Sequence, residues 1–168
     1  MTLYEKYYAM NKALNDALTG RGIVCPVYKY GSVAQPVTYP YIQTIYRVTK
    51  RQPNGSAISG TLIDFEYTLN FFTAAVHERS NDAGLFIPYE TARELITSPG
   101  YLIWKDIANV LNHEETPEFN FHGGLEVLQK GLLFKCQTVV SHVITDNTKY
   151  VPEDDALAVV EGSINFQE

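Results

Sequence analysis

The sequence predicts a single α+β domain: a mainly antiparallel central sheet, two main helices packed on one of its faces, and a long hairpin arm. Three observations carry this. Along residues 61–76, Ile63, Phe65, Tyr67, Leu69 and Phe71 alternate with Asp64, Glu66, Thr68 and Asn70, the period of two of a strand with one buried face. Residues 3–18 and 85–97 each carry one apolar stripe at helical spacing. The chain of 168 residues is 45% apolar and 19% charged, enough for one real core and too apolar for a disordered chain.

The first helix starts at Thr2, with Glu5 three residues on as in a capping box. Leu3, Tyr7, Met10, Leu14 and Leu18 form its stripe, and Gly20 and Gly22 end it. Residues 23–30 read as a short strand, and Pro26 confines it to an edge or a bulge because proline has no N–H to donate. Pro40 fixes the start of a second strand, 40–50, in which Ile42, Thr44, Tyr46 and Val48 share a face. Residues 52–60, with Pro53, Asn54, Gly55 and Gly60, form the arm before strand 61–76.

Beyond His77, residues 78–82 are polar turn material that caps the second helix, whose stripe is Leu85, Tyr89, Ala92, Leu95 and Ile96. Pro88 requires that this helix begin near Ile87. Residues 101–111 fit either a helix, through Trp104, Ile107, Ala108 and Leu111, or the start of a strand; the helix is preferred. Residues 113–124 read as a loop, 131–145 as a strand, and 125–130 as its hairpin partner. Residues 1–150 are assigned to the domain and 151–168 to a C-terminal extension, in which Ile164 and Phe166 are apolar residues able to dock on the domain's own sheet or on a neighbour.

A net charge of −6, with Lys50-Arg51 as the basic pair and no basic block, argues against wrapping a nucleic-acid backbone. Cys25 and Cys136 lie in strand-like runs without metal spacing and read as reduced, buried hydrophobes. There is no apolar run of membrane-span length and no signal-peptide pattern at the start, so a soluble protein made in a reducing cytoplasm is expected. His113, Glu114, Glu115 and His122 match no zinc spacing and read as a solvated polar loop, and His142 as an ordinary sheet residue. No nucleophile elbow or phosphate loop is present; Asp64 and Glu66 read as the solvent side of a strand. No catalytic residues, cofactor or metal are assigned.

The order of helix, short strand, strand opening on Tyr39-Pro40-Tyr41-Ile42, arm, aromatic-rich strand, helix and terminal strand pair resembles the tail terminator or neck proteins of tailed bacteriophages. The likeness covers most of residues 2–145 as a pattern of elements, and the chain beyond Asp146 departs from the shortest members. The resemblance implies a non-enzymatic virion protein, assembled in the host cytoplasm, that caps the tail tube at the tail–neck junction as a homo-hexameric ring. Its partners would be the tube protein, the head-side connector or stopper, and the sheath where one exists. DNA would pass through the lumen without specific binding. Candidate interface residues are Lys50, Arg51 and Asn54 at the arm, the strand tyrosines Tyr28, Tyr30, Tyr41 and Tyr46, and Ile164 and Phe166 in the extension. Two other classes fit the bare sequence, a small protein-binding module that works by strand addition and a small hydrolase with an unrecognised site; a different phage neck or tail-completion protein is the alternative within the resemblance.

Overall fold

The computed structural model describes residues 1–33, 36–53, 60–74, 84–116, 119–123 and 125–140. In chain order the elements are α1 (Leu3–Gly20), β1 (Val27–Lys29), β2 (Tyr41–Pro53), β3 (Thr61–Ala74), α2 (Phe86–Thr97), β4 (Asn109–Glu115), β5 (Phe119–Gly123) and β6 (Leu125–Val140). The strands form one mixed sheet in the order β1-β2-β3-β6-β4, and β5 also pairs with β6. All pairings are antiparallel except β1 with β2. The α+β class, the single domain, both helices and the two long central strands agree with the sequence reading.

Helix α1 begins where Thr2 and Glu5 complete a reciprocal capping box, which satisfies two otherwise orphaned N–H donors. It buries Tyr7, Met10, Asn11, Leu14 and Leu18. Helix α2 starts at Phe86 and places Pro88 in its first turn, where the missing N–H costs nothing. Its N-cap residue is Leu85, and residues 78–82, expected to cap it, lie outside the described residues.

The odd residues of β3 from Ile63 to Phe71 are all buried. Register sets Thr44 beside Leu69 and Leu132, and Tyr46 beside Tyr67 and Phe134. Both helices cover this face: Tyr7 lies 4.5 Å from the Tyr46 ring, and Tyr89 lies 5.2 Å from Phe71.

Four parts of the sequence reading are corrected. Only 27–29 of the expected strand 23–30 pairs; it is an edge strand, and Pro26 still serves it by accepting the Ile42 N–H at 2.8 Å. The arm is shorter than 52–60, because Gln52 and Pro53 pair with Leu62 and Thr61; residues 54–59 lie outside the described residues. Residues 101–108 form turns, not a helix. Leu102 sits at φ +41°, where a helix cannot continue, yet Trp104 is buried against Tyr67 and Phe134 at 4.7 and 5.4 Å. Leu111, the supposed end of the helical stripe, is exposed on strand β4.

The fourth correction concerns 113–130. The expected loop 113–124 is largely strand, with β4 and β5 pairing in succession along the same side of β6. Residues 125–130 belong to β6 itself, and its hairpin partner is β5. Gly131 is not a boundary. It is the point where a side chain has no room: a Cβ there would lie 2.6 Å from Thr116 Oγ1 and 3.1 Å from Asn70 Oδ1, and its carbonyl accepts the Thr116 N–H at 2.9 Å. The expected strand residues 141–145 lie outside the described residues.

Inside the core, Tyr67 donates to Asn11 Oδ1, and the Tyr7 hydroxyl meets Thr44 O at 2.9 Å and Thr44 Oγ1 at 2.8 Å. Removing one partner of a buried pair leaves the other unsatisfied, whereas removing both is nearly neutral. Tyr67→Phe should therefore cost about 1–3 kcal/mol in urea unfolding. Adding Asn11→Leu should recover most of that loss. A double variant as unstable as the sum of the two single ones would show that the pair does not act as a unit.

Candidate functional site

The strand tyrosines separate by parity. On β2, even residues face the helices and odd residues face away. Tyr41 therefore lies on the face that neither helix covers, stacked on Phe72 at 5.0 Å. Tyr28, in register with Gln43, joins it at 6.1 Å, and Tyr39 at 5.7 Å. Burial and the neighbouring Tyr39 and Tyr28 phenols raise the Tyr41 hydroxyl above its ordinary pKa. These four rings form an amphipathic patch with apolar bodies and polar tips, the chemistry favoured at protein interfaces.

Tyr46 faces the other way. With Tyr30, which is 68% exposed, it lines a shallow recess of about 170 Å³ together with Tyr7, Lys29 and Ile45. Lys50 and Arg51 are exposed at the far end of β2, about 30 Å along the strand from Tyr41 at some 3.3 Å per residue. The predicted interface residues thus fall into three places: Tyr28 with Tyr41, Tyr30 with Tyr46, and Lys50 with Arg51. Asn54, Ile164 and Phe166 lie outside the described residues, as do His77 and His142.

The bare face carries an ordered row of charge. Arg47, Glu66 and Lys135 are register partners on β2, β3 and β6. Arg47 Nε donates to Glu66 Oε1 at 3.1 Å, and Lys135 Nζ lies 3.0 Å from Glu114 Oε1 on β4. Next to it Gln137 Nε2 donates to Asp64 Oδ1 at 2.9 Å, and further along Gln129 Nε2 donates to Asn70 Oδ1 at 3.1 Å. The exposed Arg47–Glu66 and Lys135–Glu114 pairs contribute little to stability. The sequence placed Asp64, Glu66 and Asn70 on the solvent side, but Tyr39 and Phe72 were not among the candidates. Phe72 was the available signal, since it breaks the alternation of apolar and polar residues on β3.

Nothing described gathers a nucleophile with a base. Among the described residues no group of His, Cys, Asp and Glu could hold a metal ion. His113 instead packs 5.9 Å from the Phe134 ring, and it lies on β4 rather than in a loop. The opening around Cys25 is about 280 Å³, but burial pushes that thiol up to about 12, and Cys136 likewise. Among the described residues no helix is long and apolar enough to cross a membrane. Neither a protein-family model nor a curated protein sequence matches the chain.

The two thiols and Tyr67, whose hydroxyl burial also raises well above its usual value, keep their protons longer in the folded state than in the unfolded state. Below pH 9 both states hold these protons and stability is unaffected. Between about pH 9 and 12 the unfolded chain binds fewer, so stability falls as pH rises. Thermal melts from pH 7 to 11 should show this decline beginning near pH 9, and Cys25→Ala with Cys136→Ala should flatten its first part. At pH 8 a thiol reagent should label neither cysteine until urea unfolds the chain.

Proposed function

We propose that the protein is a non-enzymatic structural component of a phage virion, the tail terminator at the tail–neck junction. In this reading it works as a homo-hexameric ring that caps the tail tube and meets the head-side connector. The observation that carries the reading is the order of elements: α1, short edge strand, Tyr39-Pro40-Tyr41-Ile42 leading into β2, arm, β3, α2 and the terminal strands. The surface chemistry is compatible with it. A tube grows by presenting the same surface on each new ring, so a terminator must match that surface below and offer another above.

Two dissimilar patches support that requirement. The Tyr28–Tyr39–Tyr41–Phe72 patch suits a dry contact, with rings that bury apolar area at low entropic cost. The Lys50–Arg51 corner at the base of the arm suits pairing with acidic groups on a neighbour. Heterologous contacts between unlike patches close into rings when the rotation permits.

The test is the mass of the purified protein, alone and with tube protein, and the tails made by a phage that lacks it. A ring of six copies, or one formed only on the tube, is expected. Deleting residues 54–59 should leave a folded monomer that no longer assembles, and a phage without the protein should make tails of abnormal length or tails that fail to join heads. Normal joined virions without the protein, or a monomer that turns over a small substrate, would refute the reading.

A further inference from the structure

We propose that the edge of β2 over residues 45–51 is a docking site for an extended acidic segment of a partner protein, which adds to the sheet as an antiparallel strand. The edge itself is the first observation. Strand β1 covers Ile42, Gln43 and Thr44. Tyr30 N–H makes one more bond to Thr44 O, then Gly31 at φ +82° turns the chain away. Beyond Thr44, no strand among the described residues pairs with that side of β2. Ile42 N–H donates to Pro26 O and Thr44 O accepts from Tyr30, so the even residues of this stretch turn their backbone groups to the edge. Continuing that alternation directs the N–H and C=O groups of Tyr46 and Val48 outward, a template for an arriving strand.

A recess beside the edge is the second observation. It measures about 170 Å³, is lined by Tyr7, Lys29, Tyr30, Ile45 and Tyr46, and lies where β1 leaves β2. Tyr46 faces the helices, so an added strand sets the side chain opposite Tyr46 on that same side, beside the recess. Its next side chain then falls on the bare face. Strand addition draws affinity from main-chain bonds and selectivity from pockets for alternate side chains. The segment therefore carries an aromatic or branched apolar residue at this position. It stops there, because Tyr30 already holds the Thr44 carbonyl. Antiparallel pairing is the more stable arrangement per residue.

Charge selects the partner. Arg47, Lys50 and Arg51 are exposed along the edge. Arg47 pairs with Glu66, but among the described residues Lys29, Lys50 and Arg51 are in no ion pair. The bulge between Val48 and Lys50 sets Lys50 in register with Asp64, on the bare face, and Arg51 with buried Ile63, on the helix side. Positive charge thus flanks the edge on both faces. Burial raises the Tyr46 phenol above its ordinary value and the Arg51 charge works against that rise, so Arg51 is within electrostatic reach of the recess. A second copy is a poor occupant. One β2 laid antiparallel on another crowds Arg47, Lys50 and Arg51 against the same residues, and like charges opposed across strands destabilise a sheet. A strand bearing carboxylates meets the opposite field, which steers its approach and fixes its register.

The edge, its recess and its charge stand apart from the tail-terminator reading, and either can fail alone. The probe is a blocked peptide, Glu-Glu-Val-Glu-Phe, titrated into the full chain. In antiparallel register its phenylalanine lies opposite Tyr46, its valine opposite Val48, and its glutamates against Arg47 and the Lys50–Arg51 corner. Saturable binding is expected, with the Tyr46 and Val48 amides exchanging about tenfold more slowly when the peptide is bound. N-methylation of its phenylalanine and valine removes the donors that face β2 and keeps every charge. It should abolish that slowing and weaken binding about tenfold. Lys50→Glu with Arg51→Glu should weaken binding by a similar factor and shift preference to the peptide with lysine in place of glutamate. No saturable binding, or equal binding of the methylated peptide, would overturn the proposal. Tyr46 and Val48 amides that already exchange slowly in the free chain would overturn it as well, by showing the edge covered by the chain itself or by a second copy.

Discussion

The seating of α1 on the sheet is the constraint on which the other contacts depend. Apolar packing alone would let a helix slide or rotate on a sheet of similar side chains at small cost. Here Asn11 meets Tyr67, Tyr7 meets Thr44, and Trp104 Nε1 donates to Met10 O at 2.9 Å. Each bond joins groups distant in sequence and buried in the folded state. A shifted helix would leave several polar atoms dry and unpaired, each at a cost of about 1–3 kcal/mol. The Trp104 bond also explains how an irregular segment belongs to the core. Turns 101–108 are held between α1 and the sheet, and Lys6 Nζ and Thr138 Oγ1 both bond to Ile107 O, at 3.0 and 2.8 Å.

Once α1 is fixed, the two faces of the sheet take different chemistry. The covered face stacks Tyr7, Tyr46, Tyr67, Trp104 and Phe134 as a chain of tilted and edge-on rings, geometries that aromatic quadrupoles prefer. The bare face carries cross-strand charge and amide pairs, and among the described residues its rings gather at the Tyr41–Phe72 corner. A bulge between Val48 and Lys50 shifts parity at the end of β2, setting Arg51 in register with Ile63 rather than with the solvent side. The basic corner therefore straddles both faces.

Elements with an unbroken period were legible from the sequence: α1 from its capping box and stripe, β3 from its alternation, α2 from its stripe with Pro88 in the first turn. What was not legible depends on distant partners. Trp104, Ile107 and Ala108 repeat at helical spacing because separate turns aim them at one core, and only Leu102 at φ +41° betrays this. Gly131 looked like a strand boundary because its reason, the approach of Thr116, comes from fifteen residues upstream. For the candidate site, the tyrosines were legible as strand residues suited to an interface, but their division into a bare-face patch and an edge recess needed the register of β1 on β2.

The close approach at Gly131 also governs how the outer side of the sheet meets other chains. Thr116 bonds to β6 there, at the end of β4, of 7 residues, and ahead of β5, of 5 residues. Within β4 a second irregularity falls between Val110 and Asn112, beside exposed Leu111, and the strand ends in Glu114 and Glu115. Among the described residues, an unfamiliar strand arriving at this side meets two short runs, with the carboxylates of Glu114 and Glu115 between them. Short, bent, charged edges are how sheet proteins resist joining into fibrils, and a chain so rich in tyrosine and β-branched residues would otherwise be prone to it.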